Sequence, residues 1–190
     1  IIMSRILFLD IETTGFSRQW DYILELAAIV YDDITKEIVD VFHEYIKPGK
    51  KIPYKISELT GITNEQVGQC RNEKDVLMDF AEWAAINKPV KIVGHNCKNF
   101  DLGFIREKDA KYHVGWNEDG IEIVDTLTLA RQLNKSGKIS TENCQQPTLA
   151  AYFGINYEAH SAIEDVSALI KIYEAMQKLN KPATRADLGF

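Results

Sequence analysis

Hydrophobic positions gather first in three stretches, Ile6 to Ile11, Tyr22 to Tyr31 (YILELAAIVY) and Ile38 to Ile46 (IVDVFHEYI). Their lengths and residue types predict strands, with Asp32, Asp33 and their neighbours forming a turn. A polar link, Lys47 to Lys55, follows. Val76, Leu77, Phe80, Ala81 and Ala84 then recur at helical spacing, with Asn72 as N-cap and Pro89 as the stop. Val90 to Val93 predicts a short inner strand, Lys98 to Tyr112 a helix, and Ile121 to Val124 a strand running into a helix over Thr126 to Leu133. Beyond the polar loop NKSGKISTENCQQ, a short helix is expected near Pro147 to Phe153, closed by Gly154, and a last one from about Ser161 to Leu179. Three successive strands predict an antiparallel meander, and strands reached through helical crossovers are normally parallel. The expected class is α/β, a mixed five-stranded sheet flanked by helices. Neither an internal repeat nor a linker divides the chain, so residues 1–190 read as a single domain.

With 190 residues and 45% hydrophobic composition, the chain can bury one core. No apolar run approaches the length that crosses a bilayer. Without a basic segment followed by a long apolar stretch at the start, a cytoplasmic setting is expected and no membrane partner. Because translation does not ordinarily begin at Ile1, the natural start is either Met3 or outside an excised piece. Cys70, Cys97 and Cys144 are odd in number and far apart, as suits reduced thiols rather than a disulfide framework or a zinc site. The net charge of −6 has the wrong sign for coating long nucleic acid by charge alone. It leaves room for a local basic groove. KPGKKIPYK, with Lys47, Lys50, Lys51, Tyr54 and Lys55, can track a phosphate backbone or stack a base, or can equally be a solvated loop. Lys135 and Lys138 are a second candidate for strand contact.

The chemistry begins in FLDIETTG, Phe8 to Gly15. On a strand, Asp10 and Glu12 share one face while Leu7, Leu9 and Ile11 take the other, so two carboxylates aim at one spot. Asp101, in GHNCKNFDLGFI, has Phe104 and Ile105 as helical neighbours on its own face. Asp165, in HSAIEDVSALIKIYEAM, has Leu169 and Tyr173 on its face. Taken singly, each acid is compatible with a solvated strand end or a hydrogen-bonded helix flank, and His160 with an exposed cap. If the four acids converge about 5 Å apart, each pair repels by about 3 kcal/mol at an effective dielectric of about 20, so the cluster must take up protons or divalent cations. Oxygen-only ligands select Mg²⁺ or Mn²⁺ over zinc. Two such ions suit phosphodiester hydrolysis, with a neighbouring histidine accepting the water's proton.

At this point the chain resembles the DEDDh-type 3′-to-5′ exonucleases, the DnaQ-like superfamily that includes the proofreading epsilon subunit of bacterial DNA polymerase III and ribonuclease T. FLDIETTG, GHNCKNFD and AHSAIED match its three motifs, with four residues between His160 and Asp165. ISELTGIT, IVDTLTLAR and PTLAAYFGI resemble its secondary blocks. The resemblance implies a ribonuclease H-like three-layer fold and, as metal ligands and catalytic residues, Asp10, Glu12, Asp101 and Asp165 around two divalent cations, Asp10 bridging both. It implies His160 as general base. Thr13 and Thr14 match positions that meet the terminal nucleotide, and Leu59 one that packs on its base. Phe100, His95 and Asn96 are further substrate contacts, and Asp125 a structural helix cap. The implied activity is release of nucleoside monophosphates from the 3′ end of single-stranded DNA. RNA 3′-end trimming and a non-catalytic module that binds ends or a polymerase are the alternatives.

Overall fold

The computed structural model describes residues 4–156 and 161–180. Strands β1 (Arg5–Thr13), β2 (Ile23–Asp32) and β3 (Glu37–Lys47) form the expected antiparallel meander. Asp32 builds the turn between β2 and β3, its Oδ1 accepting from the backbone N–H groups of Ile34 and Thr35 at 2.8 and 3.1 Å. Two short helices follow, α1 (Tyr54–Thr60) and α2 (Asn64–Val67), then β4 (Arg71–Asn72), α3 (Glu73–Asn87), β5 (Lys91–Gly94) and α4 (Asp101–Tyr112). The described chain continues with β6 (Glu122–Asp125), α5 (Thr126–Lys135), α6 (Gln146–Tyr152) and α7 (Ala162–Asn180).

Among the described residues the sheet has six strands in the order β4-β3-β2-β1-β5-β6, one more than expected. The additional strand is two exposed residues, Arg71 and Asn72, laid parallel to Ile46 and Lys47, too short to carry an alternating pattern. β5 and β6 are parallel to β1, as the helical crossovers require. Asn72 caps α3 as anticipated, its Oδ1 accepting from the Asp75 N–H at 3.0 Å. α3 ends one residue before a left-handed Lys88 at φ 50°, ahead of Pro89. α4 starts three residues later than Lys98; the residues before Asp101 form a turn, whose Lys98 N–H donates to Asp125 Oδ2 at 3.3 Å.

Alternation along β1 sorts the core into two layers. Leu7, Leu9 and Ile11 pack with Val76, Leu77 and Phe80 of α3 and Leu102, Phe104 and Ile105 of α4. Ile6 and Phe8 pack on the opposite face with Val166, Leu169, Ile170 and Tyr173 of α7. α5 and α6 cover the outer side of α7 through Leu129, Leu133, Leu149, Ile172 and Met176. Each such aliphatic side chain contributes about 1.5–3 kcal/mol on burial. Cys70, Cys97 and Cys144 are free thiols, and among the described residues no helix is long and apolar enough to cross a membrane.

One buried cation fastens the loop after β1. Lys108 of α4 is 1% exposed, and its Nζ donates to the carbonyls of Arg18 and Asp21 at 3.0 and 2.5 Å. It also stands 3.8 Å from Glu73 Oε2, an acid that in turn accepts from the Ile23 N–H at 2.8 Å and the Tyr112 hydroxyl at 3.0 Å. Lys108→Met keeps the buried stem but leaves Glu73 and two carbonyls without the ammonium. Breaking a buried pair from one side costs about 3–5 kcal/mol. Thermal denaturation is expected to record a fall in Tm of roughly 6 °C or more, at about 2 °C or more per kcal/mol for a chain of this size.

Candidate active site

The site forms where β1 outlasts its neighbour. β5 pairs with β1 only from Ile6 to Phe8. Beyond that point the Ile11 N–H is taken instead by Asp101 Oδ1 at 3.1 Å, so the first residue of α4 is fixed, 2% exposed, against the end of the strand. Asp10 and Glu12 continue the face of Ile6 and Phe8, the face covered by α7. α7 runs back along that face, and its Tyr173 ring centroid lies 5.5 Å from that of Phe8. Its first turn brings Asp165 to the acids: one carboxylate oxygen from each of Asp10, Glu12 and Asp165 lies within 4.8 Å of the others. Gln146, the first residue of α6, braces Asp165, its Nε2 donating at 3.0 Å both to Asp165 Oδ1 and to the Asp165 carbonyl.

Burial and mutual repulsion leave Asp10, Glu12 and Asp101 poorly ionised without a counter-charge. Burial pushes Asp10 well above the usual carboxylate range, reinforced by the charges of Asp101, Asp165, Glu12 and Glu25. Glu12 is pushed up to about 8 by burial and then by Asp165, Glu25 and Asp101. Asp101 is pushed up to about 7, chiefly by burial, against the stabilising hydrogen bond from Ile11. Hard divalent cations take carboxylate oxygens and supply the missing positive charge, so the donor set fits such an ion. Asp101 lies outside the close triplet of oxygens but within electrostatic reach of Asp10.

The remaining predicted residues divide. Thr13 and Thr14 are buried at the end of β1, where a register shift after Glu12 turns the chain. Their hydroxyls serve that turn: Thr13 Oγ1 donates to the Gly15 carbonyl at 2.6 Å, and Thr14 Oγ1 donates to Asp21 Oδ1 at 3.0 Å. Asp21 also accepts from the Ser17 N–H and from Lys50, at 2.8 and 2.5 Å. A Cβ on Gly15 would stand 2.6 Å from Asp21 Oδ2, so any side chain there would displace the hydrogen-bonded Asp21 carboxylate. Lys50 of the basic loop is thereby tied to the turn. Leu59 is 53% exposed on α1. Phe100 packs edge-on against Phe16, centroids 6.2 Å apart, and Phe16 is itself 85% exposed.

His95 and Asn96 are engaged mainly in holding the second motif. His95 Nδ1 meets Thr126 Oγ1 at 3.0 Å, and burial lowers the imidazole's pKa. The same hydroxyl donates to the Gly94 carbonyl at 3.2 Å, tying the imidazole to the end of β5. Asn96 adopts φ 61°, and its N–H donates to Asp125 Oδ1 at 3.0 Å. Asp125 is the expected helix cap, also accepting from Leu127 N–H at 3.0 Å. Lys138 donates to the Leu179 carbonyl at 2.9 Å at the end of α7. His160 lies outside the described residues.

Glu25 was legible in YILELAAIVY as a lone acid within a strand that proves buried from Ile23 to Tyr31, yet its role could not be read there. It is 1% exposed and directly opposite Glu12 in the β1–β2 register. Gln146 carries no sequence signal beyond its position before Pro147.

Comparison with known proteins agrees with this geometry. The sequence profile of a family described as exonuclease matches residues 7–173. The chain is 34% identical over 176 residues to a PolC-type DNA polymerase III of Staphylococcus haemolyticus, covering 90% of this chain and 11% of that protein. To the PolC-type enzyme of Pediococcus pentosaceus it is 37% identical over 151 residues, covering 80% of this chain and 10% of the other. The chain thus spans about a tenth of the length of these relatives. A solved structure of exonuclease I superposes with a TM-score of 0.78 at 26% identity over 93% of this chain and 40% of that one. E. coli exonuclease I in complex with a dA16 oligonucleotide superposes at 0.81, with 22% identity over 93% and 41% of the two chains.

Proposed function

Because the chain belongs to this DnaQ-like DEDD exonuclease family, we propose that it removes nucleoside monophosphates one at a time from the 3′ end of single-stranded DNA. The observation that carries this reading is the meeting of Asp10, Glu12 and Asp165 oxygens within 4.8 Å at the end of β1, with Asp101 behind them. Two divalent cations, Mg²⁺ or Mn²⁺, would supply activation of the attacking water and neutralisation of charge on phosphate and leaving oxygen. Asp10, Glu12, Asp101 and Asp165 would hold them.

The chain's other residues then divide the remaining work. His160, as a neutral imidazole, accepts the proton of the attacking water. The exposed Leu59 and the Phe16–Phe100 pair offer apolar surface to the terminal base and sugar. Thr13 and Thr14 contribute to the terminal nucleotide through the turn they stabilise, and His95 and Asn96 through the loop that carries Asp101. Recognition rests on backbone, free end and metal, so base preference is weak. The partners are nucleic acid with a free 3′ end and a polymerase or other nucleic-acid-processing protein, in the cytoplasm.

End-labelled DNA and RNA oligonucleotides incubated with Mg²⁺ test this directly. Monophosphates should leave from the 3′ end, DNA should be degraded faster than RNA, and EDTA should stop the reaction. Faster RNA trimming would move the substrate class to RNA. Binding without turnover in Mg²⁺ and in Mn²⁺ would make the chain a non-catalytic end-binding module.

A further inference from the structure

Glu25 is a puzzle on electrostatic grounds. Acids directly opposite on neighbouring strands destabilise a sheet, and Glu25 stands opposite Glu12 on the face where negative charge is already concentrated. It is 1% exposed, so water does not relieve it. Its oxygens are instead spent on two specific partners. Oε1 lies 2.7 Å from His43 Nε2, a side chain of β3 two residues diagonal in the sheet. Oε2 accepts at 3.2 Å from the backbone N–H of Ala162, the first residue of α7. Tyr45, opposite Glu25 on β3, leans on the same carboxylate, which with burial raises the phenol's pKa.

The Ala162 N–H is one of the donors that a helix leaves without an internal partner at its start. Ala162 is fully buried, and Asp165 follows one helical turn later. A bond at this point therefore fixes where the first turn of α7 sits over β1 and β2, and so where the Asp165 oxygen falls relative to those of Asp10 and Glu12. Resting on the nuclease reading above, we infer that Glu25, steadied by His43, is a positioning residue that holds the start of α7 and sets the separation of the metal-binding carboxylates. It touches neither substrate nor reacting atoms.

Three readouts on the full chain test this in Glu25→Ala, Glu25→Gln and His43→Phe. Glu25→Ala is expected to lower kcat about 10–100-fold, the range seen when a partner orienting a metal ligand is lost, with KM for an oligonucleotide little changed. Mn²⁺ binding measured by calorimetry should weaken about tenfold or more. Amide hydrogen exchange at Ala162 should accelerate. Glu25→Gln keeps an acceptor for the Ala162 N–H, so it should recover most of all three, and its near-identical shape keeps the test informative if the alanine variant fails to fold. His43→Phe should fall between the two. Unchanged Ala162 exchange in folded Glu25→Ala, or a glutamine variant as impaired as alanine, overturns the inference. If wild type neither turns over nor binds Mn²⁺, the nuclease reading fails, while the exchange measurement still decides whether Glu25 holds α7.

Discussion

Asp10→Asn is expected to slow nucleolysis by about 10³-fold, in line with loss of a group that stabilises charge in a transition state, and yet to make the metal-free protein more stable. Asp10 sits where burial and four other acids all oppose its ionisation. An asparagine keeps the shape and removes the charge. Relief of one carboxylate pair at about 5 Å is worth up to about 3 kcal/mol at an effective dielectric of about 20. Because the carboxyls already share protons, a gain of about 1–2 kcal/mol is expected, or roughly 2–8 °C in Tm at about 2–4 °C per kcal/mol.

The pH dependence of the EDTA-treated wild type follows with a definite sign. Glu12 and Asp101 are pushed up to about 8 and about 7 in the folded state, whereas an unfolded chain releases these protons near pH 4. Between those limits the folded protein binds more protons than the unfolded one, so stability must fall as pH rises from about 4 towards 8. Saturating Mn²⁺ should raise the melting temperature and flatten that fall, since the cation replaces the protons. Thermal scans in EDTA across this pH range check both statements. An asparagine variant that melts below wild type in EDTA, or a wild type that gains stability towards pH 8, would show that the carboxylates do not repel one another as their geometry requires.

How much of this was legible in the residues depended on whether a signal was local. Alternation placed Asp10 and Glu12 on one face of β1, and helical spacing set Asp165 beside Leu169 and Tyr173, which proved buried. Both follow from period alone. The meander and the parallel crossovers followed from element order. α1 was missed because it buries none of its residues and so writes no amphipathic pattern. β4 was missed because two exposed residues cannot alternate meaningfully. Register is the non-local quantity: only the pairing of Glu12 with Glu25, and of Glu25 with Tyr45, brings the acid in the middle of YILELAAIVY next to the carboxylate cluster. The same holds for Gln146, 19 residues before Asp165 and joined to it only by the packing of α6 on α7.

His160→Gln should separate proton handling from metal handling. The imidazole enters the proposed reaction only as a base, so its removal is expected to lower kcat by about 10²–10⁴-fold, the usual contribution of a positioned general base. A glutamine of similar size leaves Asp10, Glu12, Asp101 and Asp165 in place, so calorimetric Mn²⁺ affinity should stay within about twofold, whereas Asp10→Asn should weaken it about tenfold or more. The pH–rate profile supplies the decisive contrast. An ordinary imidazole titrates near pH 6.5, so wild-type rates should level off above about pH 7. In the variant, hydroxide must do the imidazole's work, and the rate should keep climbing by about tenfold per pH unit until another step limits it. A glutamine variant with the wild-type plateau would remove His160 from the chemistry and return proton acceptance to solvent or to one of the carboxylates.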